Sequence, residues 1–262
     1  MNITFIGYGN MAKAIARGLV TNKTFSLSAS APSLTAGVNK DGIKTYHDNK
    51  EAILNAEIII LAVKPIQMGA VLKEIKPFIS PHCLFVSVAA GLSLSWFEQH
   101  SPVEQAVIRT MPNTPASVGL AATPMIANKH VTAKQKELAE LIFSTIGLTT
   151  WANDEEEMDA FTALSGSGPA YVFLFMEAMI ASAVNLGIAP ETARIFTLQT
   201  FTGAINLAHN SDLSLTDLRS KVTSPGGTTE AALNILKEPL KALIHTAMNA
   251  AKNRAHELGN AK

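Results

Sequence analysis

Gly7-Tyr8-Gly9-Asn10-Met11-Ala12 falls directly after an apolar run at residues 3–6 and directly before a helical pattern at 10–20. This G-x-G-x-x-A string constrains the fold more than any other feature. Gly7 permits a tight turn out of a strand, Gly9 lets backbone come close to a pyrophosphate, and the small Ala12 lets the helix pack tightly on the strand. The string therefore predicts a strand–turn–helix unit that binds a dinucleotide, with Ile6, Gly7, Tyr8, Gly9, Asn10 and Met11 around its phosphates.

The following residues continue the theme. Apolar or β-branched runs at 26–29, 57–63, 84–88 and 106–109 alternate with helical segments, and 120–122 with 124–127 suggest later strands. The run at 57–63 is apolar on both faces, as a buried parallel strand requires. Alternation of this kind predicts a doubly wound, Rossmann-type α/β domain over residues 1–152. Beyond it, 153–262 reads as all helix, with segments at 161–186, 190–208, 215–222, 229–237 and 239–258; Pro190 and Pro239 are placed at first turns. The segments 170–184 and 195–208 are apolar on nearly every side, which predicts burial against a partner subunit.

Composition excludes several classes of function. Twenty-one basic and 21 acidic residues give no net charge, so no basic surface points to nucleic acid. The lone Cys83, beside a strand pattern, reads as a buried structural thiol in a reducing, cytoplasmic setting. Seven scattered histidines lack metal-ligand spacing, so no metal is expected. No signal peptide is read, and the apolar run 170–184, interrupted by Glu177, falls short of a bilayer's thickness; no membrane partner is expected.

Three segments should lie past strand ends at the coenzyme edge: Ala62-Val63-Lys64-Pro65, Ala89-Ala90-Gly91 and Met111-Pro112-Asn113-Thr114-Pro115. The second strand runs into Ser28-Ala29-Ser30-Ala31-Pro32-Ser33, with no acid before Asp41. An acid there would grip the ribose hydroxyls of NAD, so its absence favours NADPH over NADH.

Reductases that pair such a domain with a helical one use a helical-domain lysine when they act on a carbonyl. No lysine occurs between Lys136 and Lys221. The chain has instead two neutral, hydroxyl-rich strings, Ser165-Gly166-Ser167-Gly168-Pro169-Ala170-Tyr171 and Thr223-Ser224-Pro225-Gly226-Gly227-Thr228-Thr229. The second runs into an apolar helical pattern, so it is both an N-cap and a place for a small anion.

Taken in order, GxGNMA, LAVKP, AAG, MPNTP, ALSGSGPAY and VTSPGGTT resemble the Δ1-pyrroline-5-carboxylate reductase family over residues 3 to about 258. The resemblance implies reduction of the cyclic imine pyrroline-5-carboxylate to L-proline with NADPH or NADH. It implies that Ser165, Ser224, Gly226, Gly227, Thr228 and Thr229 hold the substrate, with Thr229 meeting the ring nitrogen. Glu155 matches a family acid near the pocket, alongside its reading as a solvated carboxylate. Asn49 would be a ribose contact, alongside its reading as a helix cap; Ala62, Val63, Lys64, Pro65, Ala89 and Ala90 would line the coenzyme. Family members form homodimers through interleaved helical domains, often five dimers to a decamer, and the 223–229 loop would complete a partner's site. Ala31 departs from members with a basic or hydroxyl residue there, which leaves coenzyme choice open. Two alternatives stand: a reductase of a six-membered cyclic imino acid, and a nucleotide sensor without catalysis.

Overall fold

The computed structural model describes residues 1–260. Its first compact unit comprises Met1–Ser167 together with the chain from Ala250 onward; its second is Gly168–Asn249.

The first unit begins with β1 (Asn2–Ile6), α1 (Asn10–Leu19) and β2 (Ser26–Ser30), then the short β3 (Gly37–Val38), β4 (Lys44–Tyr46) and α2 (Asn49–Ile53). Next come β5 (Ile58–Leu61), α3 (Pro65–Ile75), β6 (Leu84–Ser87), α4 (Leu94–His100) and β7 (Val107–Thr110). β8 (Ala121–Ala127), α5 (Ala133–Ser144), β9 (Gly147–Trp151) and α6 (Glu155–Phe161) complete the series. The sheet order is β3-β4-β2-β1-β5-β6-β7-β8-β9. Strands from β4 to β7 pair in parallel, while β3–β4 and β7–β8 are antiparallel. β5, β6 and β7 are buried at every position, which explains the unbroken apolar run of β5. The order reverses beside β1, so the crevice at its carboxyl end is the ligand edge of the sheet.

Three strands escaped the sequence reading. β3 and β4 have two and three residues, and β9 (Gly-Leu-Thr-Thr-Trp) carries two adjacent threonines and buries no residue fully. The segments expected at 120–122 and 124–127 are one strand, with Pro124 inside it.

The second unit contains α7 (Gly168–Asn185), α8 (Pro190–His209), α9 (Leu215–Lys221) and the start of α10 (Thr228–Asn260). The expected break at Pro239 does not occur, since α10 runs through it. Proline removes one N–H donor, but the Ala, Leu, Lys and Glu residues on either side favour continuation.

The unit boundaries differ from a division at 152/153. Met158 is fully buried against Ile126 and Ala152, so α6 joins the sheet unit. The end of α10 joins it as well: Lys252 pairs with Glu156 at 2.7 Å and His256 lies 3.3 Å from Asp159.

No residue of α7 is buried, and α8 buries only Ala193 and Thr197. Phe173, Leu174 and Phe196 are 58–69% exposed. With α6 and a π-helical turn at Thr162–Gly166, α7 forms a 31-residue helix, Glu155–Asn185. By length and composition that helix could cross a membrane, which the run 170–184 alone does not suggest.

Candidate active site

Gly7 adopts φ +87°, and its N–H donates to the Ser30 carbonyl at 2.8 Å. A Cβ at Gly7 would stand 2.7 Å from the Ala62 backbone, so only glycine fits between β1 and β5. Gly9 is the N-cap of α1, with an ordinary φ of −80° and no side-chain cap. A Cβ there would meet nothing within 4 Å. The first turn of α1 carries no acid, so its free N–H groups and positive dipole end face open space. This arrangement fits a pyrophosphate. Ile6 is buried beneath the turn, and burial pushes the half-covered Tyr8 phenol above its usual pKa. Asn10 and Met11 line a separate depression of about 420 Å³, shared with Thr114 and Ser117.

Beside the glycine turn is a cavity of about 410 Å³, lined by Gly7, Ser30, Pro32, Asn49, Val63 and Glu74 among others. Asn49 is not the cap of α2. Asp48 performs that task, accepting the Lys50 N–H at 2.7 Å, and this frees the Asn49 amide for the cavity. The Ser30 hydroxyl donates to Asn49 Oδ1 at 2.8 Å, and Asn49 Nδ2 donates to Glu74 Oε2 at 3.0 Å. Val63 also lines the cavity, Ala62 hydrogen-bonds Ile6 through its N–H, and exposed Lys64 precedes Pro65 at the start of α3. Ala89 is buried, its N–H taken by the Ser87 hydroxyl, while Ala90 is exposed. Cys83 is 2% exposed and its thiol is pushed up to about 12 by burial, in keeping with a structural role.

Glu155 is half-buried and paired. Its carboxylate pairs with the buried Arg109 on β7 and accepts the Leu94 N–H, the first of α4, at 2.7 Å. Both oxygens are engaged, and the carboxylate links β7, α4 and α6. The Ser165 hydroxyl likewise turns inward, onto the Phe161 carbonyl at 3.0 Å within the π-helical turn. Asn113 anchors that turn: its amide donates to the Ser165 carbonyl at 2.9 Å and accepts the Ala122 N–H at 3.0 Å. The sequence does not single out Arg109 or Glu74, and it places Asn113 only in a loop at the coenzyme edge, because their partners lie 46, 25 and 52 residues away.

In the second unit, Gly226 has φ +71° and a Cβ on Gly227 would press to 2.4 Å from the Ser224 hydroxyl. The expected donors are partly used. Gly226 N–H donates to Glu230 Oε2 at 2.7 Å and Gly227 N–H to the Ser224 carbonyl at 3.0 Å. The Gly227 carbonyl accepts from Ala231, so the outward-facing donors of this helix start are the N–H groups of Thr228, Thr229 and Glu230. Thr229 is half-buried at that first turn.

Comparisons with known proteins identify relatives over nearly the whole chain. The family model for pyrroline-5-carboxylate reductase dimerisation matches residues 155–258, and the model for NADP oxidoreductase, coenzyme F420-dependent, matches 2–91. A pyrroline-5-carboxylate reductase of Pseudomonas aeruginosa is 40% identical over 98% of this chain and 96% of its own. The solved structure of the Coxiella burnetii enzyme is 42% identical with a TM-score of 0.91, covering 98% of each chain. That of Plasmodium falciparum pyrroline carboxylate reductase, with NADP bound, is 32% identical with a TM-score of 0.88 over 99% of this chain and 98% of that one. The dimerisation match covers the whole of the long helix Glu155–Asn185. The chain belongs to the pyrroline-5-carboxylate reductase family.

Proposed function

We propose how the residues of this chain divide the work of reducing Δ1-pyrroline-5-carboxylate to L-proline, the reaction it carries out with NAD(P)H. Bound NAD(P)H supplies a hydride to the imine carbon. The α1 start holds the pyrophosphate, Asn49 the adenosine ribose, and Val63 and Pro65 with the 89–90 turn border the rest of the coenzyme.

The N–H groups of Thr228 and Thr229 take the substrate carboxylate, with Ser224, Gly226 and Gly227 shaping the turn before them. The observation that carries this reading is a glycine-led helix start whose first three N–H groups are not taken by the helix, in a chain with no lysine between Lys136 and Lys221. An imine nitrogen is basic enough to be protonated in solution, so no strong protein acid is needed. Positioning and charge complementarity remain, and the Thr229 hydroxyl supplies them at the nitrogen as it becomes an amine. Ser165 and Glu155 act indirectly, by fixing the π-helical turn and the start of α6.

Homo-oligomerisation follows from the family's dimerisation region. A homodimer would cover the exposed α7 and α8 faces and fill the groove of about 1330 Å³ lined by Phe175, Leu233, Leu240, Ile244 and Met248. Assembly of five dimers into a decamer and a cytoplasmic setting complete the proposal, and mass measurement in solution tests the first. The domain assignment is a coenzyme-binding N-terminal half and a helical half for substrate and dimerisation.

The activity is tested by following coenzyme oxidation with pyrroline-5-carboxylate and, in parallel, with a six-membered cyclic imino acid. Turnover should be far faster with the five-membered ring; no oxidation, or preference for the larger ring, would overturn the assignment.

A further inference from the structure

We infer that Glu74 is a coenzyme-specificity residue: its carboxylate opposes a 2′-phosphate on the adenosine ribose and keeps NADH competitive with NADPH. The inference rests on reading the cavity beside Gly7 as the adenosine site. That cavity opens at the carboxyl ends of β1, β2 and β5, where Gly7, Ser30 and Val63 meet. Its apolar wall suits a purine, and its polar end is the chain Ser30–Asn49–Glu74.

Glu74 lies in the last turn of α3, half-buried, with Oε2 at 3.0 Å from Asn49 Nδ2. Any ribose hydroxyl that meets Asn49 is therefore one amide group away from a carboxylate. The acid that usually grips this ribose stands at the end of the second strand; here that strand ends in Ser30, and an acid arrives from α3 instead.

No compensating cation is in place. Among the described residues, no lysine or arginine lines the cavity. Lys73 and Lys76 are exposed, and Lys50 Nζ sits over the Phe78 ring at 6.0 Å. A 2′-phosphate would bring between one and two further negative charges toward Glu74, whereas a 2′-hydroxyl brings none. At a separation of roughly 6 Å in a wet cleft, that repulsion corresponds to about a five- to tenfold loss of affinity.

The test is calorimetric binding of NADP⁺ and NAD⁺ to the full chain and to Glu74→Gln, which keeps an acceptor for Asn49 and removes the charge. NADP⁺ should bind about five- to tenfold more tightly to the variant and NAD⁺ should change by less than about twofold, with the gain shrinking as salt is raised. Glu74→Asp, which keeps the charge, should stay near the wild-type ratio. Equal shifts for both coenzymes would mean that Glu74 merely holds Asn49, and no shift would mean that it is too distant; either overturns the inference. Ala70→Trp fills the same cavity and separates the two readings. If it abolishes binding of both coenzymes, the adenosine site stands whatever Glu74 does; if binding survives, the site assignment falls.

Discussion

Two glycine-led helix starts, at α1 and at α10, share a plan and differ in charge. Each has a glycine of positive φ, Gly7 or Gly226, one or two residues before a glycine that begins the helix. The α1 start has no acid in its first turn and no side-chain cap. The α10 start carries Glu230, whose carboxylate reaches back to the Gly226 N–H. The first is open to a doubly charged pyrophosphate; the second is already partly neutralised and suits one carboxylate. A third start, at α6, marks the opposite limit: Asp154 caps it, and Glu155, Glu156 and Glu157 fill its first turn. Such an end has no room for a foreign anion. The residues within one turn, not the helix dipole alone, thus decide what each start accepts.

The comparison can be broken at its glycines. Gly7→Ala places a methyl against the Ala62 backbone at positive φ and should cost about 2–4 kcal/mol, with loss of coenzyme binding, as read by thermal unfolding and calorimetry. Glu155→Gln leaves Arg109 buried without its counter-charge. A loss of about 3 kcal/mol is expected in denaturant unfolding, at the low end for such pairs because Glu155 is only half-buried.

Gly9→Ala is the sharper probe of α1, since its methyl meets no protein atom. Stability should move by less than about 1 kcal/mol. NADPH affinity should fall by about ten- to a hundredfold, because the methyl separates the pyrophosphate from charge-assisted N–H bonds of about 1.5–3 kcal/mol each. Unchanged affinity would remove α1 as the phosphate site. The smallest effect belongs to Glu230→Gln. It should cost the α10 start about 0.3–1 kcal/mol and lower KM for the imino acid by about two- to threefold, with NADPH affinity unmoved.

These starts were legible in the sequence to different depths. The α1 turn was fully readable, because its geometry depends on Gly7, Gly9 and Ala12, all within six residues. The 223–229 loop was readable as a helix start, yet which N–H groups stay free was not. That depends on Glu230 folding back and on Ser224 closing the turn. Glu155 stood in an acidic run whose function was ambiguous until Arg109, on a distant strand, supplied its partner. Glu74 is not legible in the sequence, because the ribose-binding acid of such folds stands at the end of β2 and this one comes from α3, brought to Asn49 only by the fold. Pro239 misled for a different reason: a local breaker was outweighed by the helix formers around it. The apolar α7 and α8 patterns are legible as faces the chain itself does not cover, and their phenylalanines and leucines are exposed.

The central claim is that coenzyme is held in the first unit while substrate is met at the α10 start, so the two functions separate by mutation. Thr229→Ala tests it most directly, with NADPH affinity measured by calorimetry and turnover of pyrroline-5-carboxylate measured on the same preparation. The account predicts coenzyme affinity within about twofold of wild type and kcat lowered by about tenfold or more, the effect of one transition-state hydrogen bond. Unchanged turnover, or a parallel loss of coenzyme binding, would contradict it.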